Sequence, residues 1–369
     1  MPHRIALIAP PWYPVPPNGY GGIELVVALL ARELRRAGDE VVLFAADGSS
    51  LASRHLAPRE WTAQLGSRQE RLRELTYAGH VVEALQSLDR VDVIHDHCGF
   101  GSLLSAALSN QAPVVHTVHG VIEEAERTFY GSLPSTVAFV AISDAQRSTA
   151  PTLPWLGTVH NAVDVDSLLV GRADEKEPYL LCLARISPDK GQHLAIEAAR
   201  RAGMRLVLAG KVEEGVTSRE YFARFVAPAV DGERVIHIGN VTGWDKARLL
   251  ARAQGLLAPL QWEEPFGLSL AEAMASGTPV IGFPRGAVPE LVTPGVTGFL
   301  VSDVEAMVQA LGQLSLLDPE RCAAVARERF APSLMARRYR AMYARSIAAF
   351  EPVTAAAQPP SRVPVLESP

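Results

Sequence analysis

The sequence predicts an α/β protein with two doubly wound, Rossmann-like domains that face each other across a cleft. At 369 residues the chain exceeds one compact core of ordinary size. Short β-branched segments alternate with longer amphipathic ones, and this alternation restarts after a charged stretch at residues 166–178. In such sheets ligands bind at the carboxyl ends of the strands, so we expect a functional cleft there.

The first domain, residues 1–165, is predicted from five strand segments and two helices. The strand segments are short and apolar, as parallel strands buried on both faces should be, and they span 4–9, 40–45, 91–95, 113–118 and 138–142. The helices carry apolar residues at helical spacing over 23–37 and 72–88.

The second domain, residues 166–332, repeats the pattern after the apolar-poor segment GRADEKEP. Its predicted strands span 179–184, 205–209, 234–238, 255–259, 279–281 and 298–301, and its helices span 190–202, 246–253 and 268–276. Residues 333–350 form one long amphipathic helix. Residues 351–369 are rich in Pro, Ala and Ser without periodicity, which predicts a disordered tail.

Composition excludes several classes of protein. The net charge of −5 gives no global attraction to nucleic acid. The first apolar segment, 5–9, is too short for a secretory leader, and no run is as long as a membrane span. Cys98, Cys182 and Cys322 are scattered, unlike a disulfide framework or zinc site. We therefore expect a cytoplasmic protein without a nucleic-acid partner.

The segment WEEPFGLSLAEAMASGTPVIG, residues 262–282, predicts a ligand. It places Glu264 on a turn, then Gly267, then a short helix that carries Glu272. A loop that leads into a helix amino terminus offers unpaired N–H groups and a positive dipole end, which suit a phosphate. The two carboxylates suit hydroxyl groups, so the ligand implied is a phosphate joined to polyols, a nucleotide sugar.

Two cations follow the first strand of the second domain, in LARISPDKG at 183–191. Arg185 supplies a forked cation and Lys190 a point cation beside the crevice, a combination that suits a diphosphate. The alternative is that Arg185 pairs with a carboxylate and Lys190 is solvated. The phosphate-like feature at Gly267 favours the functional interpretation.

These motifs resemble the retaining glycosyltransferases of the GT-B fold, in family four. The resemblance is carried by ARISPDKG at 184–191 and EEPFGLSLAEAMASGTPV at 263–280, and GYGGIE, AISDAQR and VHNAVD are similar to that family too. The fold implied has a terminal helix that crosses back to the first domain. One departure is Pro259-Leu260, where the family often has Pro-Ser.

The resemblance implies a role for each motif residue. Arg185 and Lys190 would clamp the donor diphosphate, Glu264 would hold donor-sugar hydroxyls, and Glu272 would accept from the ribose. His119, in TVHG, would contact the donor sugar across the cleft. The loop backbone would donate to sugar and phosphate from Phe266, Gly267, Leu268 and Ser269. UDP-sugars are the favoured donors, GDP-mannose is an alternative, and neither a metal nor a further cofactor is required.

Gly21 and Gly22 precede the first helix without forming a dinucleotide fingerprint. Eight residues, PWYPVPPN, separate the glycine loop from the strand, and the glycine spacing is wrong for a nicotinamide site. In the family interpretation the loop lets the backbone approach the donor phosphate and the acceptor. The alternative is a flexible turn.

His95-Asp96-His97 could suggest a metal site. Strand alternation, however, places the two histidines on one side and Asp96 on the other, and no third ligand is evident, so no metal is predicted. Asp96 and His97 are candidates for the acceptor side of the cleft, as are Ser143 and Arg147 by topology. The acceptor itself stays open between a saccharide, a lipid and a small metabolite.

The sequence contains no nucleophile–base pair of the serine or cysteine type. The resemblance implies a front-face substitution in which the leaving diphosphate helps to deprotonate the acceptor. Two alternatives remain: a nucleotide-sugar epimerase of the same fold, and a non-catalytic sugar-nucleotide-binding protein. Peripheral membrane contact is a minor option, because the arginines of the first domain are interleaved with acidic residues.

Overall fold

The structure is a computed structural model that describes residues 2–61, 68–213 and 215–351, and two parallel sheets form its framework. The first sheet has the strand order β3-β2-β1-β4-β5-β6-β7. Its strands are β1 (Arg4–Ile8), β2 (Glu40–Ala46), β3 (Arg54–Ala57), β4 (Val93–Asp96), β5 (Val114–Val118), β6 (Val137–Ala141) and β7 (Trp155–Thr158).

Helices cover both faces of this sheet: α1 (Gly22–Arg36), α2 (Arg68–Gln86), α3 (Phe100–Ser109), α4 (Glu124–Gly131) and α5 (Asp144–Ser148). The alternation of strand side chains explains the two layers. In β1, Ile5 and Leu7 pack with the apolar face of α1, whereas Ala6 and Ile8 pack with α2 and α3. Both faces of the strand are therefore buried, which is why it is apolar throughout.

The second sheet has the strand order β10-β9-β8-β11-β12-β13. Its strands are β8 (Tyr179–Leu183), β9 (Arg205–Ala209), β10 (Val235–His237), β11 (Gly255–Ala258), β12 (Val280–Gly282) and β13 (Gly298–Leu300). Its helices are α6 (Gln192–Arg201), α7 (Val216–Tyr221), α8 (Gly243–Arg252), α9 (Leu268–Ala275), α10 (Val288–Leu291), α11 (Val304–Leu311) and α12 (Pro319–Arg329). Short helical turns span Ala173–Glu175, Pro188–Lys190, Phe222–Val226, Ala227–Ala229 and Leu314–Leu316.

The last helix, α13 (Pro332–Ala348), returns to the first domain. Its buried face, with Met335, Tyr339 and Tyr343, packs with α1 and the first sheet. The predicted two-domain α/β architecture with a returning helix is thus confirmed. No helix in the described ranges combines the length and apolar character needed to cross a bilayer.

Two strands were not predicted, and both lie at the edges of the first sheet. β3 and β7 are only partly buried and therefore lack the continuous apolar run that marks the central strands. The helix predicted from residue 190 begins at Gln192, because Pro188–Lys190 forms a separate turn that ends at Gly191 in the left-handed conformation. The predicted tail lies, from residue 352 on, outside the described residues.

A carboxylate of the second domain holds the amino end of α5 in the first. Glu290 accepts hydrogen bonds from the N–H groups of Asp144 (2.9 Å) and Ala145 (2.6 Å), and lies 3.1 Å from Nε2 of His160. These hydrogen bonds keep the pKa of Glu290 below its ordinary value, although burial by itself would raise that pKa. The contact joins the two domains beside the cleft.

Candidate active site

The two domains enclose a cleft of about 1290 Å³, lined by residues from both. Most of the predicted site residues meet there although they come from distant parts of the sequence. They are Gly21, Gly22, His119, Arg185, Lys190, Glu264, Phe266, Gly267, Leu268 and Ser269.

Lys190 and Glu264 form an ion pair on the second-domain wall. Lys190 Nζ lies 2.8 Å from Glu264 Oε2 and 4.1 Å from the centre of the Trp262 ring, and Trp262 Nε1 donates to the same oxygen at 3.1 Å. The side chain of Lys190 is 11% exposed, so the alternative of a solvated lysine is wrong. Because an ammonium group has three donors, Lys190 can hold Glu264 and still donate to a phosphate.

Arg185 is paired with Glu213, which also lines the cleft. This is the carboxylate partner that the alternative interpretation anticipated, and the sequence did not identify it. A guanidinium group has five N–H donors in a planar fork, so one carboxylate leaves donors for a diphosphate. Arg185 can therefore be held by Glu213 and also serve as a clamp.

The amino end of α9 opens into the cleft through Gly267. This residue has φ +93°, in the left-handed region that side chains rarely adopt, so the turn requires glycine. The N–H groups of Leu268 and Ser269 have no partner among the described residues. These N–H groups and the positive end of the helix dipole are suited to an anion, and they line the same cleft as Lys190.

The glycine loop of the first domain packs against the same helix. A Cβ at Gly22 would lie 3.0 Å from Cδ1 of Leu268, closer than ordinary van der Waals contact. The two walls of the cleft therefore approach closely at this position, and a side chain at residue 22 would require Leu268 to shift.

Glu24, in the first turn of α1, lines the cleft and was not predicted as a site residue. It is 4% exposed, and burial raises its pKa to about 7. In the described part of the chain, no cationic side chain contributes to the pKa of Glu24. Sequence reasoning missed it because a carboxylate in the first turn of a helix ordinarily complements the helix dipole.

His119 reaches the cleft from the first domain, with His97 directly behind it. Asp96 lies on the opposite face of β4, where it contacts His116 at 2.7 Å and accepts from Ser102 at 2.6 Å. Both Asp96 and His97 are fully buried, so the expectation that they line the acceptor side is corrected. Strand alternation separates them as predicted.

Ser143 and Arg147 are also absent from the residues that line the cleft. Ser143 is buried as the amino-terminal cap of α5 and accepts from the Gln146 N–H at 3.0 Å, while Arg147 lies outside beside Asp144. Both residues lie outside the cleft because Glu290 of the second domain occupies the amino end of α5, the end that topology directs toward the cleft.

Glu272 is buried on α9, and Lys246 Nζ of α8 lies 2.7 Å from its carboxylate. It does not line the cleft, and its ribose-binding role stays a prediction. Lys246 was not foreseen, since nothing in the sequence links the two helices. Within the described ranges, no group of three or more His, Cys, Asp or Glu side chains is arranged to hold a metal ion.

Known proteins match both halves of the chain. A family model described as Glycosyltransferase Family 4 matches residues 20–167, and one described as Glycosyl transferases group 1 matches residues 170–329. D-inositol 3-phosphate glycosyltransferase of Mycobacterium marinum is 28% identical over 242 residues, which are 61% of this chain and 50% of that protein. The chain spans about half the length of the curated relatives it matches.

Solved structures match nearly the whole chain. A glycosyltransferase involved in avilamycin A biosynthesis is 27% identical with a TM-score of 0.71, covering 95% of this chain and 99% of its own. HepE of Anabaena in complex with UDP and glucose (20% identity, TM-score 0.70) covers 94% and 100%. Sucrose-phosphate synthase of Thermosynechococcus elongatus is 20% identical with a TM-score of 0.75, and the match covers 94% of this chain and 100% of that one. The last two bear on the fold alone. With both halves matched, the chain belongs to the family-four glycosyltransferases and has their GT-B fold.

Proposed function

We propose that this chain is a retaining glycosyltransferase that moves a hexosyl group from a nucleotide-diphosphate sugar to an acceptor hydroxyl without a metal ion. The observation that supports this proposal most directly is that Lys190, Arg185 and the amino end of α9 lie together on one wall of the cleft. Two cations and unpaired N–H groups suit a diphosphate. Glu264, 2.8 Å from Lys190, supplies oxygens for the hydroxyls of the attached sugar.

In the proposed reaction the bond between the anomeric carbon and the diphosphate oxygen breaks. The acceptor oxygen bonds to the same face of that carbon, and its proton passes to the leaving diphosphate. Lys190, Arg185 and the α9 N–H groups stabilise the charge that grows on the diphosphate. The glycine loop and His119 form the opposite wall, which limits access of water to the donor.

The favoured donor is a UDP-sugar, with GDP-mannose as the alternative. HepE, which has a similar fold, is in complex with UDP and glucose, so a UDP-sugar is the donor to test first. Glu272 would accept from the ribose hydroxyls while it keeps Lys246, since each carboxylate oxygen has two lone pairs. The acceptor class, a cytoplasmic location and the absence of a nucleic-acid partner remain predictions.

Transfer should persist in excess EDTA. The charge of the leaving diphosphate is met by Lys190, Arg185 and the helix end, so no divalent ion is needed. Release of nucleoside diphosphate is measured before and after chelation, with added Mg²⁺ or Mn²⁺ as the comparison. Activity that disappears with EDTA and returns with the metal would contradict the metal-independent proposal.

A panel of nucleotide sugars should raise the melting temperature for one donor class. A ligand at a hundredfold excess over its Kd stabilises the folded state by about 2.7 kcal/mol. The Arg185→Ala variant, which removes a clamp, should show a smaller shift. Stabilisation without release of nucleoside diphosphate in the presence of any acceptor would indicate a binding protein, and conversion of the free sugar nucleotide to an isomer would indicate an epimerase.

A further inference from the structure

A chain of hydrogen bonds connects the returning helix α13 with His119. Tyr343 Oη lies 2.6 Å from Nδ1 of His95, and Nε2 of His97 lies 3.3 Å from the same nitrogen. Nδ1 of His97 lies 2.8 Å from Nε2 of His119. Tyr343, His95 and His97 are fully buried, whereas His119 reaches the cleft. The chain therefore leads from the core of the first domain to the cleft wall.

All three histidines are neutral. The pKa of His95 and that of His97 lie well below the ordinary value, mainly because both rings are buried and to a smaller extent because of the neighbouring histidines. Burial and His116 lower the pKa of His119 to about 3. A neutral imidazole has one N–H donor and one acceptor nitrogen, so each hydrogen bond in the chain has a single direction.

Tyr343 sets the first direction. Burial raises the pKa of its hydroxyl well above the ordinary value, so the proton is retained. Among the residues that the structure describes, His95 Nδ1 is the one acceptor available to this buried hydroxyl, and an unmade bond would be costly. Tyr343 therefore donates to Nδ1, and His95 carries its own proton on Nε2, which donates to Thr117 Oγ1 at 2.8 Å.

The donor and acceptor roles in one hydrogen bond then determine those in the next. Nδ1 of His95 has one lone pair, which accepts from Tyr343 and can be shared only weakly with a second donor 3.3 Å away, whereas a bare Nε2 on His97 would place a second electron-rich nitrogen against it. His97 is therefore protonated at Nε2, and its Nδ1 accepts from the N–H at Nε2 of His119. This leaves Nδ1 as the acceptor nitrogen of His119.

We propose that His97 and Tyr343 are positioning residues that fix His119 as its Nε2–H tautomer, so that Nδ1 accepts a hydrogen bond from a hydroxyl in the cleft. A neutral acceptor nitrogen selects an O–H donor and contributes no positive charge to a phosphate. The identification of that hydroxyl as one of the donor sugar rests on the proposed function, whereas the tautomer does not.

The tautomer is tested by ¹⁵N NMR of histidine-labelled protein, because protonated and bare ring nitrogens resonate far apart. His119→Gln identifies the resonances. Tyr343→Phe should convert His119 to a mixture of tautomers, whereas Tyr77→Phe should not. Tyr77 serves as the control because it also has a fully buried hydroxyl in the first domain, but that hydroxyl donates to the carbonyl of Ala9 at 2.8 Å. A proton on Nδ1 of wild-type His119, or an unchanged His119 in Tyr343→Phe, would overturn the proposal.

Two variants of His97 test the consequence for the reaction. Asparagine keeps an acceptor oxygen near the position of Nδ1, whereas leucine does not. His97→Leu should lower kcat/KM by about tenfold and His97→Asn by less than about threefold. Equal losses in two folded variants would reduce His97 to a packing residue. Wild-type protein without transferase activity would refute the proposed function instead, and the NMR comparison would still report on the tautomer.

Discussion

Replacing Lys190 by alanine should lower the rate of sugar transfer by roughly two to three orders of magnitude. The substitution removes two contacts, because Lys190 Nζ lies 2.8 Å from Glu264 Oε2 and, in the proposed function, also contacts the departing diphosphate. Without it, charge would grow on the diphosphate beside an unpaired carboxylate. The measurement is kcat for release of nucleoside diphosphate at saturating donor and acceptor.

Stability must be separated from catalysis in this variant, because Lys190 and Glu264 are partly buried and removing one partner is destabilising, although by less than the roughly 3–5 kcal/mol lost at a fully buried pair. The double variant Lys190→Met/Glu264→Gln removes both charges and should recover most of the melting temperature while staying inactive. Arg201→Ala, which removes a surface cation of the same domain paired with Glu305, should keep the wild-type rate. Wild-type activity in Lys190→Ala and in Glu264→Gln would refute the assignment of the donor clamp.

Replacing Glu24 by glutamine should stabilise the protein at pH 8 by up to about 3 kcal/mol, and the gain should vanish near pH 4.5. Burial raises the pKa of Glu24 from 4.5 to about 7 in the folded protein. Between these values the folded state binds more protons than the unfolded state, so wild-type stability falls as the pH rises through this window and stays reduced above it. Glutamine resembles the neutral carboxyl group and does not titrate.

The comparison is made by urea unfolding of the wild type and of Glu24→Gln at both pH values. Glu320→Gln is the control, since Glu320 is also a first-turn carboxylate but lies exposed on α12. It should change the free energy of unfolding by less than about 0.5 kcal/mol at either pH. A Glu24→Gln variant that is equally stable as the wild type at pH 8 would show that the buried carboxylate finds a compensating partner.

The central strands and the loops of the cleft could be predicted because their signals are local. Strands such as β1 and β11 are apolar over consecutive residues, since both faces are covered. The turn at Gly267 and the helix after it follow from residues next to one another in the sequence. The edge strands β3 and β7 lack such runs, and they were missed for that reason.

Side-chain partners across the fold could not be predicted, because they depend on which elements become neighbours. Glu213 pairs with Arg185 from 28 positions away, and Glu290 reaches α5 across 145 positions to Ala145. The burial of Asp96 likewise depends on β5, which brings His116 beside it. Sequence motifs identified which residues converge on the cleft, whereas the fold decides which carboxylate each cation meets.

The return of α13 means that the first half of the sequence does not contain a complete folding unit. A fragment of residues 1–167 would lack Tyr339 and Tyr343, leaving a furrow along the first sheet and the buried histidines without their phenol partners. A hybrid enzyme that takes its acceptor-side domain from a relative must therefore import α13 together with that domain. Recombination in this architecture requires two crossovers, one near residue 167 and one near Pro332.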